Sequence, residues 1–305
     1  MKRVSIITKL FKLSFYKILS CYNLRMKNIE VKCPAKINLT LEVVNRREDG
    51  FHNIKSIMQM ISLYDTLNIK VSESDENKIL LSGNSDEIPY NEKNLVYKAT
   101  KLFLDKTKTN HFKIEIFIDK KIPVAAGLAG GSTDAAGTLV GLNKIFEEPL
   151  NRQELHELCA SLGSDLNVCL EGGCVLATSR GEVIEKLPYN LELPVTLIKP
   201  KKLGISAKEA YTKYALKENK PQNNMTEKML EALKNNESIN DYLYNDLEYA
   251  IFDDYTELQN IKSKLPHSIM SGSGSTYFVL ENLKDNPFGE DYQVISGIKF
   301  IGNGI

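Results

Sequence analysis

The stretch IPVAAGLAGGSTDAAGTLVGLN, residues 122–143, decides the fold. Its first part, Pro123 to Thr133, consists almost entirely of small residues, and a helical pattern follows directly. Glycines leave backbone N–H groups free to face an anion, and the start of a helix presents its positive dipole end to the same place. We therefore expect a strand, a glycine loop and a helix from about Ser132 to Phe146, with Ser132 as N-cap, to form a phosphate site.

Two observations limit this interpretation of the loop. A tight strand-to-helix turn with packed glycines would have a similar composition. The run Gly-Leu-Ala-Gly-Gly-Ser-Thr-Asp-Ala-Ala also fits neither G-x-x-x-x-G-K-[ST] nor G-x-G-x-x-G. Since the lysine of Walker-type loops is missing, another part of the chain must supply positive charge.

The composition is that of an ordinary globular protein. The chain has 305 residues, 42% hydrophobic and 26% charged, which is enough for one large domain or two of ordinary size. The net charge is zero, but residues 1–25 carry six basic side chains and no acid, so the remainder carries 33 basic and 39 acidic side chains. A nucleic-acid binder would show a basic folded part. We expect small-molecule substrates, no nucleic-acid or membrane partner, and a monomer or homodimer.

Residues 1–25 allow three interpretations. They are a translation start placed too early, with Met26 as the true start, a transit segment for a plastid-type organelle, or a disordered or membrane-surface tail. No apolar run approaches 18 residues, so no transmembrane helix is expected. The five cysteines are odd in number and form no C-x-x-C pair, which favours a reducing, cytoplasmic compartment.

Hydrophobic periodicity divides the first part of the chain into strands and helices. Strand patterns occupy Asn28 to about Val71 and Phe112 to Ile118. Helical patterns occupy Asn94 to Lys106 and Arg152 to Ser161, and strand and turn character returns from Val168 to Leu187.

The pattern changes after Pro188. The segment LPVTLIKP, residues 193–200, predicts a strand. Helices are expected over 208–216, 226–233 and about 246–264, and strands over 267–280 and 293–300, the first with a Gly-Ser turn. We place a domain boundary near residue 190, between domains 26–189 and 190–305.

Three further motifs carry candidate chemistry. In Pro34-Ala35-Lys36-Ile37-Asn38-Leu39, the side chains of Lys36 and Asn38 lie on one strand face; the alternative is a solvated lysine on an edge strand. In Leu162-Gly163-Ser164-Asp165-Leu166-Asn167, Asp165 is a candidate for chemistry or a helix cap. In Met270-Ser271-Gly272-Ser273-Gly274-Ser275, a second glycine turn or a simple hairpin turn is expected. A lysine beside Asp165 would keep that carboxylate ionised and stabilise charge on a transferring phosphate.

The order and the sequences of these four motifs resemble those of the GHMP kinase superfamily, which includes galactokinase, homoserine kinase and mevalonate kinase. The resemblance covers roughly Ile29 to Phe300 and excludes residues 1–25. It implies an α+β, two-domain GHMP kinase fold. The amino-terminal domain would be a mixed sheet with a left-handed-crossover-type ATP domain, and the carboxy-terminal domain would be ferredoxin-like.

Within the superfamily, residues 34–67 resemble the branch that uses ATP and Mg²⁺ to phosphorylate the 2-hydroxyl of a cytidine-diphospho-methylerythritol in the non-mevalonate route to isoprenoid precursors. Three alternatives remain open. They are a GHMP kinase for a sugar or homoserine, a non-catalytic nucleotide-binding module, and a structural α+β protein with glycine turns.

The resemblance assigns roles at the reacting and nucleotide ends. Asp165 would act as general base on a substrate hydroxyl or orient it, and Lys36 would hold Asp165 and stabilise the moving phosphoryl group. Asn94 would approach the adenine, and Mg²⁺ would bind through ATP near Ser132 or Thr133. The residues of the ATP loop would be Pro123, Val124, Ala125, Ala126, Gly127, Leu128, Ala129, Gly130, Gly131, Ser132 and Thr133.

The resemblance also assigns roles to residues at the substrate end of the site. Phe51 stands where the family has tyrosine and would stack on the cytosine, without the tyrosine's hydroxyl, while His52 would hydrogen-bond the edge of the base. Tyr211 would lie on the other side of the base. Asn38, Gly272 and Ser273 would line the site. The family usually has proline where this chain has Asn167, and a looser turn beside Asp165 is expected.

Overall fold

The structure is a computed structural model that describes residues 26–218, 220, 221 and 223–305. The three interpretations of residues 1–25 concern a segment outside the described residues. No helix in the described part of the chain combines the length and the apolar character needed to cross a bilayer.

The predicted amino-terminal strands form as expected. They are β1 (Lys27–Asn38), β2 (Thr40–Arg46) and β3 (His52–Glu73), and β3 pairs antiparallel with both β1 and β2. Buried and more exposed residues alternate over 27–33 of β1 and 64–71 of β3, whereas residues 33–38 and 56–61 are buried on both faces of the sheet.

The other strands complete two sheets. They are β4 (Lys78–Gly83), β5 (Phe112–Asp119), β6 (Cys174–Thr178), β7 (Val183–Lys186), β8 (Pro194–Pro200), β9 (Tyr244–Asn245), β10 (Ile269–Met270), β11 (Tyr277–Val279) and β12 (Tyr292–Lys299). The first sheet has the order β4-β5-β3-β2-β9; in addition β1 pairs with β3, and β6 pairs with β3 and β7. It is mixed, since β4 runs parallel to β5 and β2 parallel to β9. The second sheet has the antiparallel order β10-β11-β8-β12.

The helices are α1 (Leu95–Thr107), α2 (Gly130–Ile145), α3 (Arg152–Leu162), α4 (Leu166–Glu171), α5 (Ala207–Leu216), α6 (Met225–Asn235), α7 (Asp246–Ile251) and α8 (Thr256–Lys264). The predicted helices over 94–106, 152–161, 208–216 and 226–233 are confirmed within two residues at each end. The predicted strands over 112–118, 193–200 and 293–300 are confirmed as β5, β8 and β12.

Three predicted details are wrong. Helix α2 begins at Gly130, and its N-cap is Ala129 in the left-handed conformation, so Ser132 lies in the first turn and does not cap the helix. Residues 168–171, predicted as strand or turn, belong to α4, because a short apolar run does not distinguish a strand from a buried helix. The helix predicted over 246–264 is interrupted by a 3₁₀ turn at Phe252–Asp254 and an extended Tyr255.

Three apolar clusters hold the sheets and helices together. The smallest packs α5, α7 and α8 against the second sheet, and the other two involve the first sheet. One lies between the first sheet and helices α1 to α4. The other draws residues from both halves of the chain, including Ile37 and Leu128 from the first and Val195 and Phe278 from the second. The boundary predicted near residue 190 falls between β7 and β8, and the division into two domains stays a prediction.

Candidate active site

Lys36 lies near the end of β1, and its side chain is only 4% exposed. Its Nζ lies 2.7 Å from Oδ1 of Asn38 and 3.1 Å from the carbonyl oxygen of Gly127. A carboxylate oxygen of Asp165 is 3.6 Å away. A buried ammonium needs polar partners, and here two hydrogen-bond acceptors and one ion-pair partner supply them. The alternative of a solvated edge lysine is therefore wrong.

Asp165 directly precedes α4. It occupies the N-cap position, but its side chain makes no capping hydrogen bond to the helix. The carboxylate is 32% exposed and faces the Lys36 ammonium across 3.6 Å. The structure thus joins β1 to the start of α4 through an ion pair, which a capping aspartate would not require.

The glycine loop and the turn Ser271–Ser275 are in close contact. Gly127 has φ +73°, and a Cβ placed on it would lie 2.0 Å from the carbonyl oxygen of Ser271. The hydroxyl of Ser271 donates to the carbonyl oxygen of Gly127 at 3.0 Å. The turn joins β10 to β11 as a hairpin, and it also covers the loop that contacts Lys36.

Two cavities meet at this loop. The larger, of about 810 Å³, is lined by residues that include Lys36, Asn38, Phe51, His52, Asp165, Tyr211, Gly272 and Ser273. The smaller, of about 350 Å³, is lined by residues that include Asn94, Lys120, 123–132 and Asp134. Gly127, Ala129 and Ser132 line both. The Lys36–Asp165 pair therefore stands beside the wall shared by a glycine-loop cavity and an aromatic-lined cavity.

Three residues with aromatic rings line the larger cavity: Phe51, His52 and Tyr211. Phe51 is 54% exposed, and the Cζ of Arg180 lies 5.3 Å from its ring centroid. His52 stacks on Tyr211 with ring centroids 5.2 Å apart and an interplanar angle of 15°. Burial, together with the charges of Arg46 and Lys220, lowers the pKa of His52 below its ordinary value, so the imidazole is neutral at pH 7. A neutral imidazole offers one donor and one acceptor.

The side chain of Asn94 is hydrogen-bonded within the fold, and Thr133 lines neither cavity. The side-chain oxygen of Asn94 caps α1 by accepting the N–H of Val96 at 2.9 Å, and its amide donates to the carbonyl oxygen of Pro89 at 2.7 Å. Thr133 is completely buried and lies outside the lining of both cavities, so Ser132 is the loop hydroxyl that faces them.

The side chain of Asn167, which stands where the family usually has proline, makes two polar contacts. Its side-chain amide donates to the carbonyl oxygen of Glu182 at 2.9 Å, and its oxygen lies 3.2 Å from Nδ1 of His156. Both contacts oppose loosening, but they do not restrict the backbone as a proline would, so the looser turn stays a prediction.

Sequence reasoning missed a buried charge cluster of Asp65, Lys120 and Asp134. The ammonium of Lys120 contacts a carboxylate oxygen of Asp65 and lies 3.0 Å from Oδ2 of Asp134. Burial, with the nearby charge of Asp65, raises the pKa of Asp134 to about 7 despite the opposing effect of Lys120. Lys120 is separated from Pro123 by Lys121 and Ile122, and Asp134 directly follows Thr133, but Asp65 is 55 positions before Lys120 in the chain.

Replacing Gly127 with alanine should destabilise the protein and remove activity. The left-handed backbone alone costs a non-glycine residue roughly 1–2 kcal/mol, and the clash with Ser271 adds to this. Thermal unfolding of Gly127→Ala would measure the loss. The matched control is Ala129→Gly in the same loop, at φ +59°, which should be neutral or stabilising. Equal melting temperatures for Gly127→Ala and the wild type would contradict the close approach.

The stability of the protein should fall as pH rises through about 7, in part because of Asp134. Its pKa in the folded protein is about 7, above the ordinary value of about 3.9, so the folded state binds the proton more tightly between these values. This contribution is fully present below pH of about 4 and is lost above about 7. Asp134→Asn, which stays neutral, should therefore gain stability relative to the wild type between pH 5 and pH 8 in urea unfolding. A difference that does not change with pH would contradict this.

Comparison with known proteins identifies the family. Residues 94–174 match the family described as GHMP kinases N terminal domain. A 4-diphosphocytidyl-2-C-methyl-D-erythritol kinase of Bacillus cereus is 40% identical over 257 residues, which cover 82% of this chain and 87% of that protein. The kinase of the same name from Prochlorococcus marinus is 36% identical over 88% of this chain and 92% of its own length.

A solved structure agrees with this match. The crystal structure of a 4-(cytidine 5'-diphospho)-2C-methyl-D-erythritol kinase has a TM-score of 0.72 and 28% identity to this chain, and the match covers 90% of this chain and 100% of that one. The predicted α+β GHMP kinase fold is confirmed. The chain belongs to the family of 4-diphosphocytidyl-2-C-methyl-D-erythritol kinases, within the GHMP kinases.

Proposed function

We propose that this chain transfers the γ-phosphoryl group of ATP to the 2-hydroxyl of 4-diphosphocytidyl-2-C-methyl-D-erythritol, a step towards isoprenoid precursors. The observation that carries the proposal is the position of Lys36, whose ammonium contacts the glycine loop at Gly127 and faces Asp165 across 3.6 Å. The names of relatives about 40% identical to this chain support the cytidyl substrate over a sugar or homoserine.

The smaller cavity would hold the nucleotide. Loop residues 124–132 line this cavity, and their backbone N–H groups and the positive end of α2 would hold the phosphates. Asn94 lines this cavity, and because its own polar groups are used locally, it would approach the adenine through contact and shape.

Mg²⁺ would accompany ATP. This ion usually keeps several waters and binds through phosphates and one or two protein oxygens. The hydroxyl of Ser132 faces both cavities and fits such a ligand, whereas that of Thr133 is buried away from them. Bound there, the ion would neutralise charge on the phosphates.

The larger cavity would hold the cytidyl substrate. Phe51 would stack on the cytosine, and the neutral imidazole of His52 would pair with the donor and acceptor groups at the edge of the base. Tyr211, stacked on His52, would hold that imidazole and border the base. Asn38, Gly272 and Ser273 line the wall nearest Lys36 and would position the methylerythritol hydroxyl.

The chemistry requires positioning and charge neutralisation more than covalent help. The 2-hydroxyl oxygen forms a bond to the γ-phosphorus as the bond from that phosphorus to the bridging oxygen of ADP breaks. Asp165 orients the hydroxyl and accepts its proton late in the transfer. Lys36, fixed by Asn38 and Gly127, stabilises the charge on the moving phosphoryl group.

The substrate is tested by comparing acceptors. Coupled ADP release should be fast with the cytidyl substrate and near background with mevalonate, galactose and homoserine. Faster turnover of any of these three would replace the proposed substrate.

Asp165→Asn should lower kcat by about 10²–10⁴-fold while the protein stays folded, because the amide cannot take up the proton. Coupled ADP release with the cytidyl substrate measures kcat, and circular dichroism checks folding. Asp105→Asn, an exposed aspartate on α1, is the matched control and should retain full activity. Near-normal turnover of Asp165→Asn would remove Asp165 from this role.

Phe51→Ala should raise KM for the cytidyl substrate about tenfold and leave KM for ATP unchanged, since stacking on a base is worth about 1–3 kcal/mol. Phe117→Ala, which truncates a phenylalanine that is 41% exposed on β5, serves as control. An unchanged KM for the cytidyl substrate in Phe51→Ala would refute the stacking.

A further inference from the structure

The cluster of Asp65, Lys120 and Asp134 lies where the glycine loop begins and ends. The side chains of these residues are 0%, 6% and 3% exposed. None of them belongs to the Lys36–Asp165 pair, yet Lys120 and Asp134 line the smaller cavity.

Asp65 holds the beginning of the loop. Its Oδ1 accepts the N–H of Lys121 at 2.6 Å and that of Ile122 at 2.8 Å. The backbone directly before Pro123 is therefore fixed to β3 by two charge-assisted hydrogen bonds.

Lys120 connects the beginning of the loop to its end. Its ammonium contacts Asp65 and lies 3.0 Å from Oδ2 of Asp134, which directly follows the first turn of α2. A Cβ placed on Gly130 would lie 2.9 Å from this ammonium, so the lysine also lies directly against the loop backbone. One side chain thus joins the two ends of residues 123–133.

The cluster of Asp65, Lys120 and Asp134 would cost stability if its role were purely structural. Oδ1 of Asp134 is buried and has no hydrogen-bond partner among the described residues. Buried ion pairs contribute little net stability, whereas an unpartnered buried oxygen is destabilising. What the cluster does provide is a fixed distance between the ends of the loop.

We propose that Lys120 is a positioning residue for the nucleotide: by joining Asp65 to Asp134 it closes the neck of the glycine loop, so that the backbone N–H groups of the loop converge on the phosphates. The inference rests on the proposed function, in which this loop holds ATP.

The test compares two variants at Asp134 at pH 8, where this carboxyl group is ionised in the wild type. Asp134→Ala removes the connection at the end of the loop and should raise KM for ATP by about 10–10²-fold, because a small misplacement of binding groups has an effect of this size. Asp134→Asn keeps an acceptor for Lys120 and should raise KM for ATP only about fivefold. In both variants KM for the cytidyl substrate should stay unchanged.

Lys27→Met is the matched control. Lys27 binds the opposite end of the same helix α2, through the carbonyl oxygen of Ile145 and the carboxylate of Glu147, both at 3.1 Å. Its loss should leave KM for ATP unchanged, even if the melting temperature falls.

Two results would overturn the proposal. One is an unchanged KM for ATP in Asp134→Ala or, should that variant not fold, in Asp134→Asn. The other is an equal rise in KM for both substrates, which would indicate general loosening. If the wild type releases no ADP with the cytidyl substrate, the proposed function fails separately, and calorimetric titration of ADP then replaces KM: weaker binding by the Asp134 variants than by the wild type supports the positioning role, and equal binding refutes it.

Discussion

The burial of one ammonium group governs the arrangement of the candidate site. The side chain of Lys36 is almost completely removed from water, so each of its protons needs a partner. Two hydrogen-bond acceptors, Asn38 on the same strand and Gly127 in the glycine loop, and one ion-pair partner, Asp165 before α4, come from three places in the chain. Asn38 is itself held by the hydroxyl of Ser56 on β3, at 2.8 Å. Satisfying this one cation therefore fixes the mutual positions of a strand, a loop and a helix.

This arrangement supplies the charge that the glycine loop lacks. The described part of the chain is net acidic, so a polyanionic ligand must be attracted by local groups. Lys36 provides a cation at the reacting end. Lys120, which also lies against the loop, is held between the carboxyl groups of Asp65 and Asp134, and the contribution we propose for it is to geometry. Lys36 and Lys120 thus have different tasks because their partners differ in charge.

The strands, most helices and the four motifs could be predicted from the sequence because each depends on a local pattern. The alternation in residues 112–118 and the capping asparagine before α1 are examples. The helix at 166–171 could not be predicted, since six apolar-rich residues fit either state. The start of α2 was misplaced because two glycines with low helix propensity adopt helical geometry under packing. Asp65 was missed because a buried ion pair between residues 55 positions apart leaves no sequence pattern.

The contact between Gly127 and Ser271 has a consequence for how the protein can be dissected. The matched family segment, 94–174, contains the glycine loop and Asp165, but neither Lys36 nor the turn that covers Gly127. A fragment ending near residue 190 would lose that cover and would expose Ile37 and Leu128, which pack with Val195 and Phe278. Truncation products and chimaeras with related kinases should therefore aggregate unless both sides of this contact come from the same parent.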